Sequence, residues 1–428
     1  MRKSQLFEAQ DRVADMKRLA TEKLDEAVEA YLAALDDDPE STDISLELAE
    51  LAWTQLLELD EVDNPSARDV FHWRSLVKAH GCGFYDARLQ GNGALRVETQ
   101  IPQAKATLYW VKASGALLER RNAHVLGKTP TRAVSLPMGS YHVVVEADGR
   151  PPLHYPVRLR RSEVVSLHAH LHKQREIGEG FVFVPPGPAI LGGDPNLPHY
   201  RKRPREVRDL AGFFIMRTHV TCGDYLDYLR DLPPEQAIAR APRAGSGKAF
   251  WSPGDDGQWQ LPAEPPPFSK LPWSLEWPIV SVSFEDAQDY VRWRSLRDSR
   301  RLDLPTSDQW EKAARGADGR FFPWGNHFDS SLCNLPAAGS SGAAPAPVGS
   351  FPGDRSPYGV LDLAGNALDQ VYLGDLEDEE RLCGARGGGW HVRNLLSRSA
   401  AVAQVRVEDC HPFLSFRLVA TPEDGWEL

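Results

Sequence analysis

The spacing of hydrophobic positions changes along this chain of 428 residues, and each change marks a different kind of element. Over residues 5–78 the apolar positions follow a helical period. Leu19, Leu24, Ala27, Val28, Tyr31, Ala34 and Leu35 share one face, and Asp36-Asp37-Asp38-Pro39 stops the helix. A second helix is predicted over 44–59, with Leu48, Leu51, Ala52, Leu56 and Leu59 on one side. From Gly91 the period shortens. Residues 94–99, 106–111, 140–145 and 164–169 read as short strands, separated by turn signals at Gly93, Pro102, Gly127, Pro130, 137–139 and 148–151. The charged stretch 172–176 marks a boundary, after which 178–187 opens a further strand. Residues 243–270 are rich in Gly, Ser and Pro and read as a surface loop or the rim of a pocket. The pattern predicts an α+β multidomain chain with a helical segment over 1–80, a β module over 88–172 and a third domain over 178–422.

Composition narrows the partners. The net charge of -11 argues against nucleic acid, because phosphate binding needs a basic face. The one dense basic run, 201–205, is expected to be a solvated loop. Cys82, Cys222, Cys333, Cys383 and Cys410 show no close pairing, and a sparse odd set fits a reducing compartment. With no signal-like N-terminus and no long apolar run, the expectation is a soluble cytoplasmic protein with no membrane partner.

Several motifs resemble known families. Ala27, Tyr31, Ala34, Leu35 and Pro39 are similar to the second helix of a tetratricopeptide repeat; a plain helical bundle is the alternative. Leu126-Gly127-Lys128-Thr129-Pro130, followed by Leu136-Pro137-Met138-Gly139-Ser140-Tyr141, resembles the small β-sandwich called the PEGA module. The third region resembles the formylglycine-generating enzyme, or sulfatase-modifying factor, family. The carriers are 213–221, where His219 replaces the usual Glu of Glu-Val-Thr, then 277–287, Leu304-Pro305-Thr306 through Trp310 to Gly316, Phe322-Pro323-Trp324-Gly325, 361–366 and Arg386-Gly387-Gly388-Gly389-Trp390 with Ser415-Phe416-Arg417-Leu418. The implied fold is that family's variant of the C-type lectin fold. In order, the three segments resemble the C-terminal regions of some bacterial Ser/Thr kinases, without any kinase motif.

That family oxidises a substrate cysteine through two active-site cysteines, which hold cuprous copper as soft ligands. Aligned on the Gly-Gly-x-Trp turn, their positions here are Val392 and Ser397. The resemblance therefore implies a kept scaffold, no catalytic residues and no copper; Cys383 and Cys410 lie near but off the family positions. Asp362, Gly365, Ala367 and Asp369 match the family's calcium loop, with hard oxygen donors of the type calcium selects, and Asn334 falls where a second site begins. The alternative is an Asp-capped turn. A histidine-based iron centre would draw on His72, His80, His219, His391 and His411, and their scatter argues against it.

Two functions follow from the resemblance. The first is a non-catalytic module of a signalling or defence system. It would bind a protein or peptide with loop residues Trp390, His391, Arg393, Asn394, Leu396, Arg406, Glu408 and His411. Variable proteins of diversity-generating retroelements, which carry this fold and diversify its C-terminal segment, are a sharper form of that reading. The second is an oxidoreductase whose altered metal site acts on a small molecule or protein.

Overall fold

The computed structural model describes residues 2–60, 62, 65–198, 203–335, 344–374, 381–391 and 394–422. The chain divides into two compact units. The first comprises residues 1–93 with the short segments Leu136–Met138 and Arg160–Glu163. Its helices are α1 (Arg2–Asp37), α2 (Thr42–Asp60), α3 (Ala67–His80) and α4 (Asp86–Gln90). Most of the predicted apolar faces form its core, with Leu19 left exposed: Val28 and Leu35 of α1 meet Leu48, Ala52 and Leu56 of α2, and Trp73 and Val77 of α3 join them. Ser66 caps α3 by accepting the Asp69 amide at 3.4 Å. Within the same unit Arg161 Nε donates to Asp60 Oδ2 at 2.7 Å, with both side chains largely buried.

The second unit holds everything else, and two sheets open it. Their strands are β1 (Gly93–Thr99), β2 (Lys105–Ser114), β3 (Leu117–Lys128), β4 (Val134–Leu136), β5 (Gly139–Glu146), β6 (Leu153–Leu159) and β7 (Val164–Ala169). One sheet runs β3-β2-β5-β6, antiparallel throughout, with Leu108 opposite Val143 and Val145 opposite Leu153. The other runs β4-β1-β7, with β1 and β7 parallel. The four strands expected from the pattern are all present. Strands β3 and β6 go beyond it, because β3 is mostly solvent-facing and polar while β6 carries Pro156.

The remainder of this unit contains α5 (Gln174–Ile177), β8 (Phe181–Val184), β9 (Gly187–Leu191), β10 (Glu206–Leu210), β11 (Phe213–Met216), α6 (Cys222–Asp231), α7 (Pro234–Arg240), α8 (Phe284–Arg297), β12 (Leu302–Asp303), α9 (Ser307–Arg315), β13 (Leu368–Val371), β14 (Leu382–Arg386), β15 (Ala403–Arg406), β16 (Leu414–Ser415) and β17 (Val419–Ala420). Two four-stranded sheets, β12-β17-β11-β8 and β15-β14-β13-β16, organise it. Each of the three main helices begins with a reciprocal cap: Thr221 with Asp224, Ser283 with Asp286, Thr306 with Gln309. Residues 243–270 are mostly exposed, as expected of a surface loop, but Trp251 and Trp259 anchor the stretch in the same core as Trp273 and Trp277. Of the basic run, 201–202 lie outside the described residues, and Arg203 is tied to Asp308 at 3.1 Å.

Candidate functional site

The glycine-rich turn after β14 is positioned from below by a buried ionic cluster. Glu311, on α9, accepts from Arg386 Nη2 at 3.0 Å, from Arg315 Nη1 at 2.9 Å and from the Gly192 amide at 2.7 Å. Arg386 spends its other donors on the Ser307 hydroxyl and the Ser399 carbonyl. Burial without compensation would make such charges prohibitive, and here nearly every guanidinium hydrogen has a partner. Gly387 and Gly388 then adopt positive φ, 98° and 71°. A side chain at Gly387 would strike the Trp310 ring at 2.9 Å, and one at Gly388 would strike Ser397 Oγ at 2.5 Å. Backbone conformation and close packing both demand glycine there.

Beyond the turn the chain builds an aromatic row. Trp390 is buried, donates its indole N–H to the Pro412 carbonyl at 3.0 Å and lies 5.7 Å from the Phe268 ring. The His391 ring follows at 5.1 Å, and His391 and His411 each stack on Phe413, at 6.2 and 5.0 Å with interplanar angles of 13° and 5°. His391 is exposed, whereas His411 and Phe413 are half-buried, so the row runs from core to solvent. Trp390, His391 and His411, named from the sequence, thus come together. Phe268 and Phe413 were not foreseen, because no motif marks them.

The other predicted surface residues disperse. Leu396 is half-buried and packs on Leu368 and Leu414, which makes it part of a small apolar cluster. Arg406 and Glu408 are exposed at the end of β15 and just past it, where the Asp409 carboxylate accepts the Arg406 amide at 3.2 Å. Val392 and Arg393 lie outside the described residues, as does the side chain of Asn394.

Ser397 is wholly buried, and its Oγ has no hydrogen-bond partner among the described residues. Cys383 and Cys410 are buried as well. Burial pushes Cys383 up to about 12 and Cys410 up to about 11, so both stay protonated at neutral pH. A protonated thiol is neither a nucleophile nor a cuprous ligand.

The oxygens expected to face calcium are engaged from inside the protein. Asp369 Oδ2 accepts from Trp310 Nε1 at 2.7 Å and from Arg417 Nε at 2.8 Å. The Ala367 carbonyl accepts from His219 Nε2 at 3.0 Å, and His219 also lies 3.4 Å from Asp369 Oδ1. Arg417 Nη2 donates to the Asp362 carbonyl at 2.9 Å, and Asp362 Oδ2 accepts the Gly349 amide at 2.7 Å. Asn334 Nδ2 donates to Ala344 and Asn366 oxygens, while Gly365 packs against the Asn334 backbone. Among the described residues no group of three or more His, Cys, Asp or Glu is arranged to hold a metal. In this arrangement most of the expected ligand oxygens are already taken by N–H donors. Asp369 Oδ1 is the exception, buried without a hydrogen-bond partner among the described residues, whereas a calcium ion would need several open oxygens. The sequence signal for this outcome was His219 in place of the usual Glu.

The sulfatase-modifying factor enzyme 1-like domain family matches residues 168–422, and the PEGA domain matches residues 122–175. The inactive Cα-formylglycine-generating enzyme 2 of Bos taurus is 31% identical over 195 residues, 44% of this chain and 62% of that protein. Hercynine oxygenase of Mycolicibacterium smegmatis is 32% identical over 205 residues, 44% of each chain. The chain thus spans less than two thirds of the length of either relative. The solved structure of PvdO from Pseudomonas aeruginosa covers 56% of this chain and 93% of its own, at 22% identity and a TM-score of 0.44. No described helix is long and apolar enough to cross a membrane. With its landmark motifs in order and the greater part of its length matched, the chain belongs to the sulfatase-modifying factor enzyme 1-like family and carries a PEGA domain ahead of that domain.

Proposed function

We propose that this chain is a non-catalytic binding protein of a bacterial signalling or defence assembly, cytoplasmic, whose C-terminal loops engage a protein or peptide. The observation that carries this reading is the aromatic row from Phe268 to His411. It ends in stacked, partly exposed imidazole and phenyl rings beside a family cysteine position occupied by the buried, inert Ser397. Rigid rings with polar edges suit recognition, because they offer contact area at low entropic cost. The name of the inactive bovine relative is compatible with such a role. In this reading the N-terminal helices are a tetratricopeptide-like docking segment and the two sheets of the β module a sandwich-type spacer. Arg417 and His219 take the place of a structural calcium. Diversification of the segment after the glycine turn would be a further specialisation, supported by a neighbouring reverse transcriptase gene with an imperfect repeat of this segment.

The test has two arms. Peptides selected on the purified full chain from a displayed random library should lose binding to the H391A/F413A variant while retaining it on a variant of the N-terminal helical segment. Metal analysis and oxygen consumption with a thiol peptide, after loading with copper or iron, should both give background values. Stoichiometric copper or iron with turnover would replace this reading by that of an oxidoreductase.

A further inference from the structure

A cleft of about 400 Å³ opens between the β2–β3 hairpin and the loop 352–359 of the C-terminal domain, within one compact unit. Its walls are held in register by main-chain contacts. The Leu118 amide donates to the Trp324 carbonyl at 2.7 Å, and a side chain at Gly325 would meet the Ala116 carbonyl at 2.5 Å. The volume lies in the range of small-molecule sites, ~300–1,000 Å³.

The charge of the lining is unusual for a chain with a net charge of -11. Arg120, Arg121, Arg320 and Arg355 face it against one acidic residue, Glu119. Two of these arginines are neutralised locally: Arg121 pairs with Glu119, and Arg320 with Asp318. Arg120 and Arg355 are exposed and have no ion pair among the described residues; Arg120 rests over the Tyr109 ring. Between them lie His142 of β5 and His154 of β6, joined Nε2 to Nδ1 at 3.0 Å. Burial lowers the affinity of both rings for protons, and the Arg120 charge lowers it further. His154 is brought down to about 4, with Arg355 and Arg217 adding to the effect and Glu146 opposing it. Neutral imidazoles, held beside unpaired guanidinium groups, leave the cleft with hydrogen-bond donors and a positive field and only one carboxylate.

We propose that this cleft is a binding site for a small polyanion bearing phosphate or carboxylate groups, gripped between Arg120 and Arg355. The guanidinium fork matches both oxyanions with paired N–H donors. Because the arginines come from the PEGA-side hairpin and from the C-terminal domain, a bound anion bridges two walls that main-chain contacts already hold in register.

Isothermal titration of the full chain with pyrophosphate, ATP and citrate tests this at low and moderate salt. The expected result is one-site binding to at least one of them, weakened by salt and weakened ten-fold or more in R120A/R355A. Both side chains are exposed, so an unchanged melting temperature of that variant confirms that its fold is intact. Citrate against pyrophosphate separates carboxylate from phosphate preference, and either outcome supports the site. Absence of heat with all three anions overturns the proposal. So does affinity that the double variant leaves within three-fold.

Discussion

Arg386 Nη2 and Glu311 Oε2 meet at 3.0 Å with both side chains fully buried, although 75 residues separate them in the chain. This contact joins the Leu304–Gly316 motif, on α9, to the glycine turn. Removing one partner strands the other, which costs about 3–5 kcal/mol in comparable buried pairs. E311Q should therefore lower the urea midpoint substantially, since it leaves both Arg386 and Arg315 undercompensated. A shift equivalent to less than 1 kcal/mol would show that the cluster contributes little.

Asp354 gives a pH signature. Burial, helped by the neighbouring Asp362 charge, pushes its carboxyl up to about 8, against an unfolded value near 4. Between those values the native state holds a proton that the unfolded chain has released. The group therefore contributes stability that is fully present below about pH 4 and is lost as pH rises through about 8. D354N keeps an acceptor for the Ala364 amide, bonded at 2.8 Å, and cannot titrate. The variant should show a flatter melting temperature between pH 5 and 8, in scans by circular dichroism, than the parent chain.

Calcium should leave the protein unmoved. A site saturated 100-fold over its dissociation constant would add about 2.7 kcal/mol, which calorimetry detects readily. With Arg417 and His219 donating to the Asp362 and Ala367 carbonyls, the melting temperature in excess calcium should match that in a chelator to about 1 °C. A clear rise with calcium would restore the metal to this loop.

Phe413 separates recognition from stability. It is half-buried between two imidazole rings, so F413A should cost about 1–2 kcal/mol, below the 3–5 kcal/mol typical of a fully buried phenyl group. The same change should remove at least ten-fold of the affinity for any selected peptide. Loss of folding together with binding would make the ring a core residue.

In the helical unit, Arg161 reaches Asp60 at 2.7 Å, donates to the Arg88 carbonyl at 2.7 Å and covers the Trp53 ring. R161A should cost about 2–3 kcal/mol as a charge-assisted pair largely out of water. Limited proteolysis should then cut within residues 61–93 first.

Much of the architecture could be read from periodicity. Buried stripes on α1 and α2 and alternating burial in β1 are direct imprints of one-sided burial, whereas β5 is buried along a continuous run. Strand β3 escaped because most of its residues face solvent, and Pro156 obscured β6. Trp251 and Trp259 are buried anchors inside a stretch that its Gly and Pro content correctly marks as surface, and no periodicity pointed to them. At the site, the glycine turn and Trp390 were legible from their motif. The hydrogen bonds of Arg417 to Asp369 and of His219 to the Ala367 carbonyl span 48 and 148 residues, beyond any local pattern.

Trp390 and Pro412, 22 residues apart, are fastened by the indole hydrogen bond, so the segment between them is a closed loop with fixed ends. Closure entropy grows only with the logarithm of loop length, about 0.6 kcal/mol for each doubling. The clasp fixes both ends of the segment, while Leu396, the buried Ser397 and β15 tie its interior into the scaffold, so tolerance for change is confined to exposed positions such as His391, Arg406 and Glu408.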